Sequence, residues 1–411
     1  MNSVEIFTLA LGLAPPWKVD KIELTKSEKE MLGELHIHIG FEPRSRFLDD
    51  TGTLCPMYDS VERTWQHLNF FEHKCFLHAR VPRYTHSVSK KVTTVQVPWA
   101  RAESGFTLLF EAYAMLLIEY EMPVNKVADS LRVIPHRIWR VFNHWIQKAV
   151  GKDDLSGVKN IGIDETSSKK GHSYVTLVAD MDEHRVVHVT VGKDASTVGK
   201  FVKELQGKGG KEEQIETICM DMSPAFIGGA LEHLPNAKIV FDKFHLVQML
   251  NKAMDTVRKA ERKECEMLKG HKYTFLHAYR NLNKDKKENL HELMIMYPKL
   301  GEAYRLKELF ADVWDIENKE EAKGYLSFWC DMALDSGIFA YQKFVGTIMS
   351  HWDGICAYFD KKISNGVLEG INNKIQLAKR RARGYRNIQN FINMIYFLTA
   401  KLKFEYPLYP S

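Results

Sequence analysis

No CxxC pair occurs among the six cysteines of this 411-residue sequence, which stand far apart at positions 55, 75, 219, 265, 330 and 356. That scatter excludes a disulfide-stapled secreted scaffold and reads as reduced thiols, most of them core residues. No apolar run approaches the ~20 residues that a membrane span requires, and no charged-then-apolar leader opens the chain. Internal repeats and low-complexity tracts are also missing. The excess of positive charge is small, +5 overall, so the mean charge does not identify a nucleic-acid partner and only its distribution can. What is present is ordinary globular composition, 45% apolar and 27% charged, in a chain too long for one core. The expectation is a soluble, cytoplasmic protein of two to four domains, with no membrane partner.

The first hundred residues read as a β-rich module. Leu35-His36-Ile37-His38-Ile39 alternates apolar and polar, as Val92 to Val97 does more loosely, and Pro98-Trp99 closes the stretch. The period then changes, with Phe106, Leu109, Phe110, Tyr113 and Leu117 at helical spacing. Val124 to Leu131 and a second helix opening near Pro135 form a helix-turn-helix pattern. Its second helix is expected to expose His136, Arg137 and Arg140 to DNA while Ile138 and Val141 face inward.

Residues 158 to 245 carry the most information. Val158 to Asp164, His172 to Asp180 and Arg185 to Val191 read as three strands, the last two joined as a hairpin. An amphipathic helix opens at Ser196, a buried strand runs from Ile215 to Met220, a helix opens at Ser223-Pro224, and Ala237 to Phe241 is a fifth strand. The order βββαβαβ is that of a ribonuclease-H-like core. Residues 246 to about 360 read as helical throughout. A long helix runs from Ser364 to about Ala382, Gly384 breaks it, and Asn387 to Lys403 forms a last one. Trp314, Trp329 and Trp352 recur at helical spacing and read as core rather than base-stacking residues.

Two of the strands end in an acid, Asp164 and Asp221, and in a core of this order those strands are neighbours. Phosphodiester cleavage by two metal ions needs carboxylates that converge on one pocket, held rigidly by buried chain. Glu369 is the expected third ligand, on a helix packed across that edge. Beyond it, six of the thirteen residues from Lys374 to Arg386 are basic and none is acidic. Lys374, Lys379, Arg380, Arg381, Arg383 and Arg386 are therefore expected to grip phosphates next to the site.

Several ordered blocks together resemble the DDE transposases of bacterial insertion sequences, the ISL-three group. They are Gly162-Ile163-Asp164-Glu165, Met220 to Phe226, Leu234-Pro235-Asn236-Ala237, Phe241-Asp242-Lys243-Phe244-His245, and Ser364-Asn365-Gly366 through Glu369 to Asn387. Arg63 to Leu68 and Pro98 to Arg101 extend the resemblance over nearly the whole chain. It implies an α/β ribonuclease-H-like core, a mixed five-stranded sheet with helices, interrupted by an all-helical insertion; such an insertion accounts for the 148 positions from Asp221 to Glu369. It also implies that Asp242 and His245 form a motif near the site, and that two Mg2+ or Mn2+ ions are the cofactor. Members of the group carry a zinc ribbon near the N-terminus. Here Cys55, Cys75 and His86 are the ligands left for it, with Asp49, Asp50 and Tyr58 where others are expected, short of the four good donors zinc needs.

The resemblance implies cleavage at terminal inverted repeats and strand transfer into target DNA, by a homodimer or higher assembly acting at the bacterial nucleoid. The domains expected are a β-rich module at 1–103, a helix-turn-helix at 104–152, the two parts of the core at 153–245 and 361–411, and the helical insertion at 246–360. The rival readings are a non-catalytic DNA-binding relative of a transposase and another nuclease on the same core.

Overall fold

Alternation at Leu35, Ile37 and Ile39 does build a strand, with those three side chains buried and His36 and His38 on the opposite face. In a computed structural model, which describes residues 2–26, 32–169, 171, 173–264, 268–361 and 366–405, the chain forms two units, Met1–Ala149 with Lys403–Ser411, and Val150–Leu402. In the first, a short helix α1 (Ser3–Ala10) precedes strands β1 (Trp17–Thr25), β2 (Glu34–Phe41), β3 (Arg46–Leu48), β4 (Leu54–Phe70), β5 (His73–Thr85) and β6 (Val92–Thr94). The sheet order is β1-β2-β5-β4-β3, with β6 paired to β5. Helices α2 (Leu108–Glu119), α3 (Val124–Ser130) and α4 (Pro135–Gly151) follow.

Five of these elements, α1, β1, β3, β4 and β5, are not signalled by alternation. The reason is plain in β4, where Asp59 to Thr64 are polar or half-exposed on both faces and only Trp65 and Gln66 are buried together. A ribbon solvated on both sides carries no period-two pattern. Backbone pairing holds it instead, from Met57 opposite Tyr84 to Phe70 opposite His73.

The ribbon and the helices share one buried seam. His67 on β4 shares a 2.8 Å hydrogen bond with the hydroxyl of Thr107, the residue that caps α2. Burial pulls the His67 imidazole down to about 4 from its ordinary value near 6.5. The unfolded chain therefore takes up a proton near pH 6.5 that the folded chain refuses until about 4, so this stabilisation is full above 6.5 and is lost as pH falls through that window. The melting midpoint is expected to drop between pH 7 and pH 5, and His67→Gln to flatten that dependence. Equal pH slopes in the two proteins would remove His67 as its source.

The second unit is built on β7 (Asn160–Lys169), β8 (Ser173–Asp180), β9 (Arg185–Val191), α5 (Ser196–Gly207), β10 (Thr217–Met220), α6 (Pro224–His233) and β11 (Lys238–Phe241). His172, expected to begin β8, lies outside the described residues. The five strands form one sheet in the order β11-β10-β7-β8-β9, with β10 parallel to both β7 and β11 and the others antiparallel. The apolar face of α5 (Val198, Phe201, Val202, Leu205) is buried, as its spacing predicts.

Among the described residues every α or β element after β11 is a helix: α7 (Lys243–Glu264), α8 (Lys272–Leu276), α9 (Lys284–Met296), α10 (Pro298–Asp312), α11 (Lys319–Asp335), α12 (Phe339–Ser350), α13 (Trp352–Cys356), α14 (Tyr358–Lys361), α15 (Gly366–Arg381) and α16 (Ile388–Thr399). Trp329 is fully buried among Phe310, Tyr341 and Phe344, and Trp314 stacks on Phe359, so both are core residues as expected. The helix α16 closes on the sheet edge, where the Val189 amide of β9 donates to the Tyr396 hydroxyl at 2.9 Å. Among the described residues no helix is long and apolar enough to cross a membrane.

Candidate metal centre and DNA interface

Register places three acids in one row. Cys219 of β10 pairs with Gly162 of β7 and with Val240 of β11, and Met220 pairs with Phe241. Asp164 and Asp221 each follow the Gly162–Cys219 pair by two residues, and Asp221 and Asp242 each follow the Met220–Phe241 pair by one. The three thus stand level on adjacent parallel strands ~4.8 Å apart. Only Asp221 and Asp242, however, lie just past a strand end. Asp164 stands within β7, which does not stop at the acid as expected but runs on to Lys169 because β8 continues to pair with it. The apolar runs beneath them, Ile161 to Ile163 and Thr217 to Met220, are buried, which makes the row rigid.

The electrostatics agree with this placement. Burial holds the Asp164 carboxyl above the ordinary carboxylate range, and the charge of Asp221 pushes the same way. The Glu165 amide, which donates to Oδ1 at 2.7 Å, and the charge of His245 pull it back. Cys219, behind the row, is pushed up to about 12 by burial and by the charges of Asp242 and Asp164. Asp242 is itself buried and accepts the Phe244 amide at 3.0 Å, and its other oxygen is 3.8 Å from His245 Nε2. Asp221 accepts the Ser223 amide at 3.0 Å.

Glu369 is exposed in the first turn of α15. The preceding Ser364 and Asn365, which belong to its motif, lie outside the described residues. Three side chains fasten the same helix to β7. The Asn372 amide nitrogen donates to Asp164 Oδ2 at 2.6 Å, Gln376 donates to Thr166 Oγ1 at 2.9 Å, and Lys379 Nζ donates to the Ser167 carbonyl at 2.7 Å. Spacings of three or four residues keep these on one helical face with Glu369. Asn372 and Gln376 escape a search for chemistry-bearing types because neither ionises; their positions three and seven after Glu369 are the signal. Gly162 allows the close approach, since a Cβ there would lie 2.8 Å from Leu368 Cδ1 and 2.5 Å from Met181 Sδ.

The DNA-facing candidates divide. His136 and Arg140 are exposed on α4 while Ile138 and Val141 are buried, as expected. Arg137 differs. Its guanidinium lies 4.1 Å from the centre of the Phe106 ring and donates to Gln66 Oε1 and the Gly105 carbonyl, both at 3.4 Å. A planar cation stacks well on an aromatic face, and here that packing fixes α4 within its own unit. Arg140→Ala is expected to weaken binding to the recognised DNA about tenfold without altering the melting point. Arg137→Ala is expected to lower the melting point. The reverse pattern in binding and melting assays would exchange the two roles.

Along α15 and beyond, Lys374, Arg380, Arg381, Arg383 and Arg386 are exposed, whereas Lys379 is half-buried and committed to Ser167. Lys379 therefore departs from the expectation of a phosphate grip. The helix ends near Gly384, whose φ of +88° suits glycine alone at no cost.

The N-terminal residues do not fit a zinc ion. Cys75 pairs with His67 on β4, twelve residues along that strand from Cys55, so the two thiols cannot share one centre. Among the described residues the one set of three possible ligands within 4.8 Å of each other is Asp49, Asp50 and His86. Both oxygens of Asp49 already accept hydrogen bonds, from the Thr51 and Thr53 amides and the Thr51 hydroxyl on one side and from the Ser87 amide and hydroxyl on the other. The Ser87 and Thr51 hydroxyls hold its carboxyl far below the usual range. His86 uses Nε2 towards Asp50, and its Nδ1 accepts the Val88 and Ser89 amides. The loop is tied by a carboxylate whose acceptors are all in use.

Comparison with known proteins follows the same lines. A family model described as "Transposase" matches residues 161–395, more than half of the chain, and one described as "Helix-turn-helix domain of transposase family ISL3" matches residues 95–146. The chain is 27% identical to the transposase for insertion sequence element IS1557 of Mycobacterium tuberculosis, over 95% of this chain and 94% of that protein. It is 24% identical to the transposase for insertion sequence element IS1001 of Bordetella parapertussis, over 91% of this chain and 94% of that one.

Proposed function

Since this chain belongs to the ISL3 family of transposases, we propose that it cuts DNA at the terminal inverted repeats of its element and joins the freed ends to target DNA, at a site built on Asp164, Asp221 and Glu369. The observation that carries this reading is the shared register of Asp164 and Asp221 on parallel neighbours, with the Glu369 helix fastened to the first of those strands. The strand order β9-β8-β7-β10-β11 supports a ribonuclease-H-like core in which α7 to α14 are the helical insertion and α15 and α16 complete the catalytic half. On this reading the domains run 1–103, 104–152, 153–245, 246–360 and 361–411.

The donor set fits hard divalent cations, Mg2+ or Mn2+. Carboxylate oxygens are what such ions take, and the burial and crowding that keep Asp164 above its ordinary range are what a cation relieves. When bound, two ions would supply activation of the attacking oxygen and neutralisation of the leaving one. The chain's own contribution is positional. The parallel register of β7 and β10 holds Asp164 and Asp221 level, α15 presents Glu369, and Asp242, with His245 beside it, completes the row. Exposed Lys374, Arg380, Arg381, Arg383 and Arg386 hold the phosphate backbone, while His136 and Arg140 read the end sequence. The 3′-hydroxyl freed by the cut attacks target DNA through the same residues. Two ends must be joined, so a homodimer or higher assembly does the work.

The test is to give the purified protein duplex DNA carrying its element's ends, a second DNA as target, and Mg2+ or Mn2+. End cleavage followed by joined product is the expected result. Cleavage without joining would leave another nuclease, and binding without cleavage under either metal would leave a DNA-binding relative that has lost its chemistry.

A further inference from the structure

One polar atom beside the row of acids is left over by everything described so far. Asn372 donates through Nδ2 to Asp164 Oδ2 at 2.6 Å, yet its Oδ1 is buried with no hydrogen-bond partner. An ionised carboxylate can only accept, so the nitrogen is the atom turned to Asp164, and the oxygen of the same amide lies next to the same carboxylate. A buried carbonyl oxygen without a donor costs roughly 1–3 kcal/mol, and such an atom in a native site calls for a missing donor.

The surroundings limit what that donor is. Asn372 lies three residues after Glu369 on one face of α15, and the two further contacts of that face, Gln376 to Thr166 and Lys379 to Ser167, hold the helix against β7 independently. Asn372 is therefore not needed merely to dock the helix. Its neighbour Asp164 is the residue already assigned to a divalent ion, and Mg2+ keeps several waters of hydration when carboxylates bind it. Partners one step removed from the ion orient such carboxylates and typically change affinity 10–100-fold.

We propose that Asn372 is a positioning residue of the metal centre: its Nδ2 fixes the Asp164 carboxylate, and its Oδ1 accepts a hydrogen bond from a water of the bound ion's hydration shell. The inference rests on the metal-site reading above. It predicts that Asn372 acts through Asp164 on ion binding, and not only on the packing of α15.

Mn2+ uptake by the full chain, followed by electron paramagnetic resonance of the free ion, separates these roles. Wild type, Asn372→Leu, Asn372→Ser, Asp164→Asn and the Asn372→Leu/Asp164→Asn double variant are compared, with thermal melting alongside. Leucine keeps the volume without the hydrogen bonds, and serine stays polar but cannot span the contact. Both single variants at Asn372 are expected to raise the Mn2+ dissociation midpoint about tenfold or more while melting near the wild-type temperature. In the Asp164→Asn background the leucine change should add nothing further, since the coupled pair is already broken. Wild-type uptake in Asn372→Leu and Asn372→Ser overturns the proposal, as does a leucine effect that persists undiminished without the Asp164 carboxylate. Wild-type protein that takes up no Mn2+, or takes it up equally after Asp164→Asn, overturns the metal-site reading and this inference together.

Discussion

Asp164→Ala and Asp221→Ala proteins are expected to bind end DNA as the wild type does and to leave it uncut, with cleavage slowed ~10³-fold or more. That factor corresponds to about 4 kcal/mol of barrier, a size that a single phosphate contact does not reach but a lost ion does. The argument rests on geometry. Each side chain stands two residues beyond the paired Gly162 and Cys219, so either substitution empties one position in the row without disturbing the apolar runs beneath it. Removing one of two crowded carboxylates also relieves the repulsion that raises Asp164, so Asp221→Ala should not destabilise the fold. Glu369→Gln, isosteric and exposed, is expected to do the same to cleavage. Gel assays of binding, cleavage and joining on one substrate check all three; any of these proteins retaining cleavage within tenfold of wild type removes its residue from the site.

Trp329→Ala has the largest expected effect on stability, a loss of about 4 kcal/mol. Its ring is fully buried, stacks edge-on at 4.8 Å from Phe310, and donates its N–H to the Leu306 carbonyl at 2.8 Å. Alanine leaves a cavity between α10, α11 and α12 and strips a buried carbonyl of its donor, two penalties that add. Trp329→Phe keeps most of the volume and should cost only about 1–2 kcal/mol, chiefly the hydrogen bond. Urea unfolding read by circular dichroism gives both figures. Equal losses in the two variants would show that the hydrogen bond, not the packing, carries the residue's contribution.

The second unit was far more legible than the first. Its strands are short apolar runs, two of which stop directly before an acid, and a parallel pair buried on both faces advertises itself as continuous hydrophobicity, as Ile218 to Met220 does. The run of β7 past Asp164 to Lys169 carries polar residues and is not signalled. The helix start at Pro224, a proline in the first turn, and the stop at Gly384 with its left-handed backbone follow local rules that need no knowledge of the partner. The start at Ser196, by contrast, has no side-chain cap, and its amide is held by Asp194 Oδ1. The ribbon of β4 and β5 gave no such signal, because its polar residues face water on both sides and pairing with a distant strand defines it. Within the candidate site the ionisable residues could be found by type and spacing. Arg137 and Lys379 could not be sorted from their basic neighbours, since what separates them is a ring of Phe106 and a carbonyl of Ser167, both remote in sequence. Asn372 was hidden for a related reason: nothing about an asparagine announces chemistry until the acid it touches is known.

The fastening of α15 to β7 joins residues 208 to 212 positions apart, which has a consequence for the chain as it is made. At ~5–20 residues per second, a ribosome adds Asn372 roughly 10–40 s after Asp164. Through most of that interval the nascent polypeptide holds its helix-turn-helix and Asp164, joined after 57 residues by Asp221, but neither Glu369 nor the helix that presents it. On the proposed site, a chain released within that interval would carry the helix-turn-helix without the third carboxylate, and translation itself would set a delay before the first cut.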